Sequence, residues 1–131
     1  MLSKAITRSL RSDSTFASLC EGASRISAEI GQGEPAVIIK QNYNTPIIEG
    51  SGLRSVGIQL LVSGYKIDKG ENISEKGISV VMGLLGVTMT DDVRQFTIKS
   101  VSHLNGPTFI GWNDSNVFSS NFIVNFQQVE I

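Results

Sequence analysis

The residue types that carry chemistry are few in this chain and far apart. A nucleophile–base pair would have to draw on Cys20 and His103, the single cysteine and the single histidine. No histidine lies near Cys20 in sequence, so it reads as a small buried hydrophobe rather than a nucleophile. His103 sits between Ser102 and Leu104, late in an extended run, and reads as a strand-end or surface histidine. The one pair of adjacent carboxylates is Asp91-Asp92. Neighbours in a turn face different ways, so the pair reads as a solvated loop rather than an acid–base couple. One Cys and one His cannot supply the ligand set of a structural zinc site, and a lone cysteine makes no intramolecular disulfide. Gly31-Gln32-Gly33 is followed by Glu34 and Pro35 instead of a helix, so it is no phosphate cradle. Asn72-Ile73-Ser74 and Asn113-Asp114-Ser115 match the glycosylation acceptor pattern. The N-terminal stretch, broken by Lys4, Arg8 and Arg11, has no signal-peptide core to give them weight. No catalytic residue, metal ligand or cofactor is expected, and the chain reads as a non-enzyme.

Composition agrees with that reading. The chain has 131 residues, 40% hydrophobic and 18% charged, with 11 Lys+Arg against 12 Asp+Glu. The near balance of charge argues against a dedicated phosphate-backbone binder. No apolar run approaches the roughly 18 residues that span a bilayer, so no membrane partner is expected. A chain of this length buries enough surface for one core without staples, and 1–131 reads as a single domain.

The elements follow from apolar spacing. Leu2, Ala5/Ile6 and Leu10 make one helical stripe, with Lys4, Arg8 and Arg11 on the solvated side. Ser12 or Asp13 caps a short second helix that turns Phe16, Leu19 and Cys20 inward. Residues 21–34 read as a connector. Pro35 opens a β-branched strand, Ala36–Ile39, ending near Gln41. Asn42–Gly52 reads as a polar loop carrying Ile47 and Ile48, which either cap the core or form an exposed docking tip. Leu53–Tyr65 is a long strand whose Val56, Ile58, Leu60 and Val62 share one face. Lys66–Gly70 breaks it, and a helix is expected over Glu71–Leu85, with apolar Ile73, Ile78, Val81, Leu84 and Leu85. Gly77 and Gly83 inside that helix imply close packing against a sheet, and Gly86 is a plausible stop.

The remainder reads as β. A weak strand is possible near Val87–Thr90, and Val93–Leu104 is a strand bulged near Ser100. Asn105-Gly106 signals a turn, and Asn113–Asn116 a second one. In the last strand Phe118, Phe122, Val124 and Phe126 oppose Ser119, Asn121, Asn125 and Gln127. The expected fold is α+β: a mostly antiparallel β-sheet with an N-terminal helical segment and one central helix packed on one face. Tyr43, Tyr65 and Trp112 each fall near an element end and are candidate interface aromatics.

This order of elements resembles the tail-terminator (tail-completion, minor tail, head–tail joining) proteins of tailed phages. The resemblance rests on the strand Val56-Gly57-Ile58-Gln59-Leu60-Leu61-Val62, the helix Glu71–Leu85 after it and the closing amphipathic strand Phe118–Gln128. It is one of length and pattern over most of the chain, and residues 21–34 and the Gly-rich helix depart from it. The resemblance implies a structural protein of the virion tail or neck, assembled in the host cytoplasm as a homohexameric ring. Its partners would be the tail tube protein below and head–neck connector proteins above, with DNA passing without sequence-specific binding. The geometry is workable. A chain of this length has a radius of gyration of about 14 Å, and six spheres of roughly 36 Å diameter leave a hole of similar width. A near-neutral wall suits passage of a duplex better than grip.

On that reading Ile47 and Ile48 are the candidate tail-tube docking loop. Ser119, Asn121, Asn125 and Gln127 are the candidate subunit-interface or lumen face, and exposed strand edges can pair with neighbouring copies. The alternatives are another neck or head-completion protein, or a monomeric or dimeric α+β domain that binds a small ligand or peptide.

Overall fold

The computed structural model describes residues 1–31, 33–112 and 115–131. The first apolar stripe forms α1 (Leu2–Ser12), with Leu2, Ala5, Ile6 and Leu10 buried and Lys4, Arg8 and Arg11 exposed. Asp13 ends it and begins α2 (Ser14–Leu19), its side chain accepting from the Phe16 amide at 3.0 Å. That bond satisfies one of the free amides of a helix N-terminus.

Several strand and helix boundaries differ from expectation. The 21–34 connector contains a 3-10 turn (Ala23–Arg25) and a strand, β1 (Ile26–Ala28). Three residues centred on Ser27 are too short to show a period, and parallel pairing with Val37–Ile39 fixes them. β2 (Ala36–Pro46) continues five residues past Gln41, because antiparallel pairing with β3 (Leu53–Ser63) holds polar residues extended. Only the link from Ile47 to Gly52 remains as a loop. Helix α3 (Ile67–Met82) starts four residues before Glu71, so Lys66–Gly70 is its first turn rather than a breaker. Asp68 favours that end through the helix dipole, and Gly70 lies where a Cβ would meet Phe118 Cε2 at 2.9 Å. Gly77 likewise faces Leu60 Cδ2 at 2.7 Å, so close packing on the sheet does explain the glycines of this helix. Gly83 is the C-cap, and Leu85, expected on the apolar face, lies beyond the helix end and is exposed.

The weak strand forms as β4 (Thr88–Thr90). β5 (Arg94–Trp112) runs straight through Asn105-Gly106 instead of turning there. Pro107 prevents a two-residue hairpin, and the irregularity is absorbed as bulges between His103 and Asn105 and between Asn105 and Thr108. The bulge expected near Ser100 lies between Ile98 and Ser100. β6 (Ser115–Glu130) pairs with β5 from Trp112↔Ser115 onward. Of the second expected turn, Asn113 and Asp114 lie outside the described residues.

The sheet order is β1-β2-β3-β6-β5-β4, antiparallel except for β1 against β2. The fold is the α+β class expected, with a curled sheet of six strands and three α-helices on one face among the described residues. Phe118, Phe122, Val124 and Phe126 of β6 meet Val56, Ile58, Leu60 and Val62 of β3 under those helices. Each fully buried Phe contributes about 1.5–3 kcal/mol from area removed from water. Among the described residues no helix lies on the opposite face of the sheet.

Candidate functional site

Ile47 and Ile48 stand on the β2–β3 turn, 50% and 58% exposed, so they are not caps on the core. The turn is a fixed knob. The Ile47 amide donates to Leu53 O at 2.9 Å, Ser51 Oγ to Ile48 O at 2.6 Å, and Gln127 Nε2 to Ser51 O at 2.6 Å. A side-chain pair presented this way loses little further freedom on contact.

Tyr43 is the bulged residue of β2, 64% exposed at φ 23°, and its ring lies over Gly57, where a Cβ would be 3.0 Å from Cζ. It remains available to a surface contact. Tyr65 does not. It is 3% exposed and donates its hydroxyl to Cys20 O at 2.7 Å, so it belongs to the core. Burial pushes its phenol well above the usual range. An aromatic at a strand end reads the same from sequence whether it faces in or out, and here the α2 terminus covers it. Trp112 ends β5 by its backbone, and its side chain lies outside the described residues.

Ser119, Asn121, Asn125 and Gln127 all lie on the open face of the sheet, opposite Leu61, Gln59, Ser55 and Leu53 of β3. Ser119 is 4% exposed beneath Gln59, which donates to its Oγ at 3.0 Å, so it supports this face without reaching a partner. Asn121 donates to Asn105 Oδ1 at 2.8 Å.

Cys20 is fully buried, and burial pushes its thiol up to about 12. That suits an inert core group. His103 is exposed and stacks on Phe122, ring centres 5.2 Å apart. Asp91 is not the solvated residue expected. It is 6% exposed and accepts from the Met1 ammonium and from the amides of Val93 at 2.8 Å and Arg94 at 2.7 Å. Burial opposes its ionisation, but the ammonium and those amides outweigh it and hold the carboxyl far below its usual range. Asp92 is exposed, paired with Arg8 at 2.6 Å, which lowers its pKa too.

Sequence reasoning missed the apolar exposure along β5. Leu104, Phe109 and Ile110 are each more than 40% exposed, and among the described residues the edge of β5 beyond Ile98, which still bonds Gly86 and Val87, has no strand beside it. Reading Asn105-Gly106 as a turn hid the length of that edge. An open groove of about 630 Å³ runs between α2 and α3, lined by Asp13, Phe16, Leu19, Lys69, Lys76 and Val80. Among the described residues no group of three or more His, Cys, Asp or Glu could hold a metal, and no helix is long and apolar enough to cross a membrane.

No protein-family model matches the chain, and no curated protein matches it. The fold is nevertheless found in a solved structure, that of the virion of a native gene transfer agent particle. One chain there aligns with 99% of this chain and 95% of its own length, with a TM-score of 0.59 and 13% identity. That likeness is one of fold.

Proposed function

We propose that the protein is a non-enzymatic structural component of a phage-like virion. In the finer form of this reading it closes the tail tube and joins it to the head or neck, as a hexameric ring around a DNA passage. The observation that carries it is the near end-to-end likeness in fold to a chain of a gene transfer agent virion. One feature of the chain itself supports the ring. Among the described residues its β5 edge is open beyond Ile98, beside exposed Phe109 and Ile110, which suits contact with a neighbouring copy. A contact between unlike surfaces on identical subunits repeats and closes into a ring when the rotation allows. The fixed Ile47–Ile48 knob is the proposed contact with the tail tube protein. Connector proteins would meet the ring from the head side, and exposed Tyr43 remains a candidate for a contact between neighbouring copies.

The α2–α3 groove favours a second reading, a module binding a small ligand or peptide, because Phe16, Leu19 and Val80 line it beside Lys69 and Lys76. Negative-stain images separate the two. Rings with a central hole are expected, and compact particles without a hole at every concentration would support the binding module.

A further inference from the structure

Two helices carry opposite charge at matching intervals. Lys4, Arg8 and Arg11 share one exposed side of α1. Asp68, Glu71 and Glu75 share one exposed side of α3. Residues three and four apart are neighbours on a helix surface, so each set is a stripe. Along α1 the steps are four residues and then three, about 6 Å and 4.5 Å of helix rise. Read from Glu75 back to Asp68, α3 has the same steps in the same order. An antiparallel pair of such helices sets Lys4 opposite Glu75, Arg8 opposite Glu71 and Arg11 opposite Asp68.

The stripes do not meet within one chain. Among the described residues the ion pairs are Met1–Asp91, Arg8–Asp92, Lys69–Glu21 and Arg94–Glu130, and none joins α1 to α3. Lys69 and Lys76 turn to the α2–α3 groove, on the flank beside the acidic stripe. The basic stripe lines an open cleft of about 760 Å³. Ile30, 75% exposed, lines the same cleft. So does Ser27, whose buried Oγ has no hydrogen-bond partner among the described residues. Glu29 is the one acid in the lining, and its Oε1 already accepts from the Gln41 amide at 2.9 Å. The Arg8–Asp92 pair lies at the surface, where such pairs are weak and exchange readily. On α3, exposed Ile67 and Met82 flank the acids.

We infer that the acidic stripe of α3 in one copy docks antiparallel on the basic α1 cleft of a second copy. The charges are opposite, their steps agree, and apolar groups stand on both sides of the contact. Opposed charges of this kind fix partner and register more than they add affinity. The contact rests on the copy-to-copy assembly proposed above and adds to it a surface separate from the β5 edge. Because α1 and α3 are unlike surfaces, an open assembly leaves one of each unpaired at its ends, and only a closed one satisfies them all.

The test is charge exchange in the full chain: Lys4→Glu, Glu75→Lys and the two together, with assembly followed by native mass over a dilution series. Both positions are exposed, so melting temperatures should stay near that of the parent. Each single variant should assemble about tenfold more weakly, and the double variant, which restores opposite charges across the contact, should recover to within about threefold of the parent. Added salt should weaken the parent in the same direction. Should a reversal cost the fold, Lys4→Gln and Glu75→Gln replace it, and the double variant should then be no weaker than either single one. Single variants that assemble like the parent overturn the helix contact and leave a ring built on other surfaces. Weakened single variants without recovery in the double variant overturn it as well, because the two residues then do not face each other. A reciprocal dimer that shows the recovery supports the contact and contradicts the ring. A parent that is monomeric at every concentration overturns both.

Discussion

Gly106 of β5 lies flat on Ser120 of β6: a Cβ at residue 106 would fall 2.6 Å from Ser120 Cα and 2.5 Å from Ser119 O. The backbone there has φ 100°, a region L side chains avoid. The contact lets β5 bulge over β6 without parting from it, so the long edge strand stays in the sheet. Both obstacles are backbone atoms, and a side chain at 106 cannot be relieved by a rotamer change. Gly106→Ala should cost about 2–4 kcal/mol, read as a lower denaturant midpoint at unchanged slope. A change under half a kcal/mol would mean that the bulge is free to move.

Asp91 ties the start of α1 to the turn before β5. Its folded pKa is depressed, so its contribution is complete above the unfolded carboxyl value, about 3.9. It fades as the pH falls through that value toward the folded one. Asp91→Asn removes the charge that the Met1 ammonium and two amides address, and should cost about 1–3 kcal/mol at pH 7. Below about pH 3 the gap between variant and parent should narrow. Chemical denaturation at both pH values checks this, and an equal gap at both would contradict it.

Tyr65→Phe leaves Cys20 O, inside the core, without its partner, at a cost of about 1–2 kcal/mol. Because the ring is buried, the variant should self-associate as the parent does. Altered association with unchanged stability would return Tyr65 to the interface from which its burial removes it. The same core keeps Cys20 unreactive toward thiol reagents until the chain unfolds.

Ile47→Ser with Ile48→Ser should leave the melting temperature nearly unchanged, since neither side chain is in the core and the turn is held by backbone and Ser51 bonds. The double variant should fail to join a tail tube. Normal joining would remove the docking role from the knob.

The sequence made the fold legible wherever periodicity was long. The α1 stripe, the β3 face and the alternating Phe of β6 all needed only their own spacing. What it hid was set by pairing. β1 exists because β2 lies beside it, polar Asn42–Thr45 are extended because β3 holds them, and Asn105-Gly106 stays in a strand because β6 runs beneath it. The proposed contact surfaces were half visible. Adjacent isoleucines in a polar stretch pointed to the knob, and the polar half of β6 to the open face. Tyr65 and Ser119 show the limit, since their burial depends on Cys20 and Gln59, both distant in sequence.

Ring formation is the central claim, and mass under native conditions tests it most directly. The purified chain should give a closed oligomer, six copies on the proposed reading, whose mass holds on dilution until it falls to monomer without a ladder of open intermediates. A monomer or simple dimer at every concentration would contradict it.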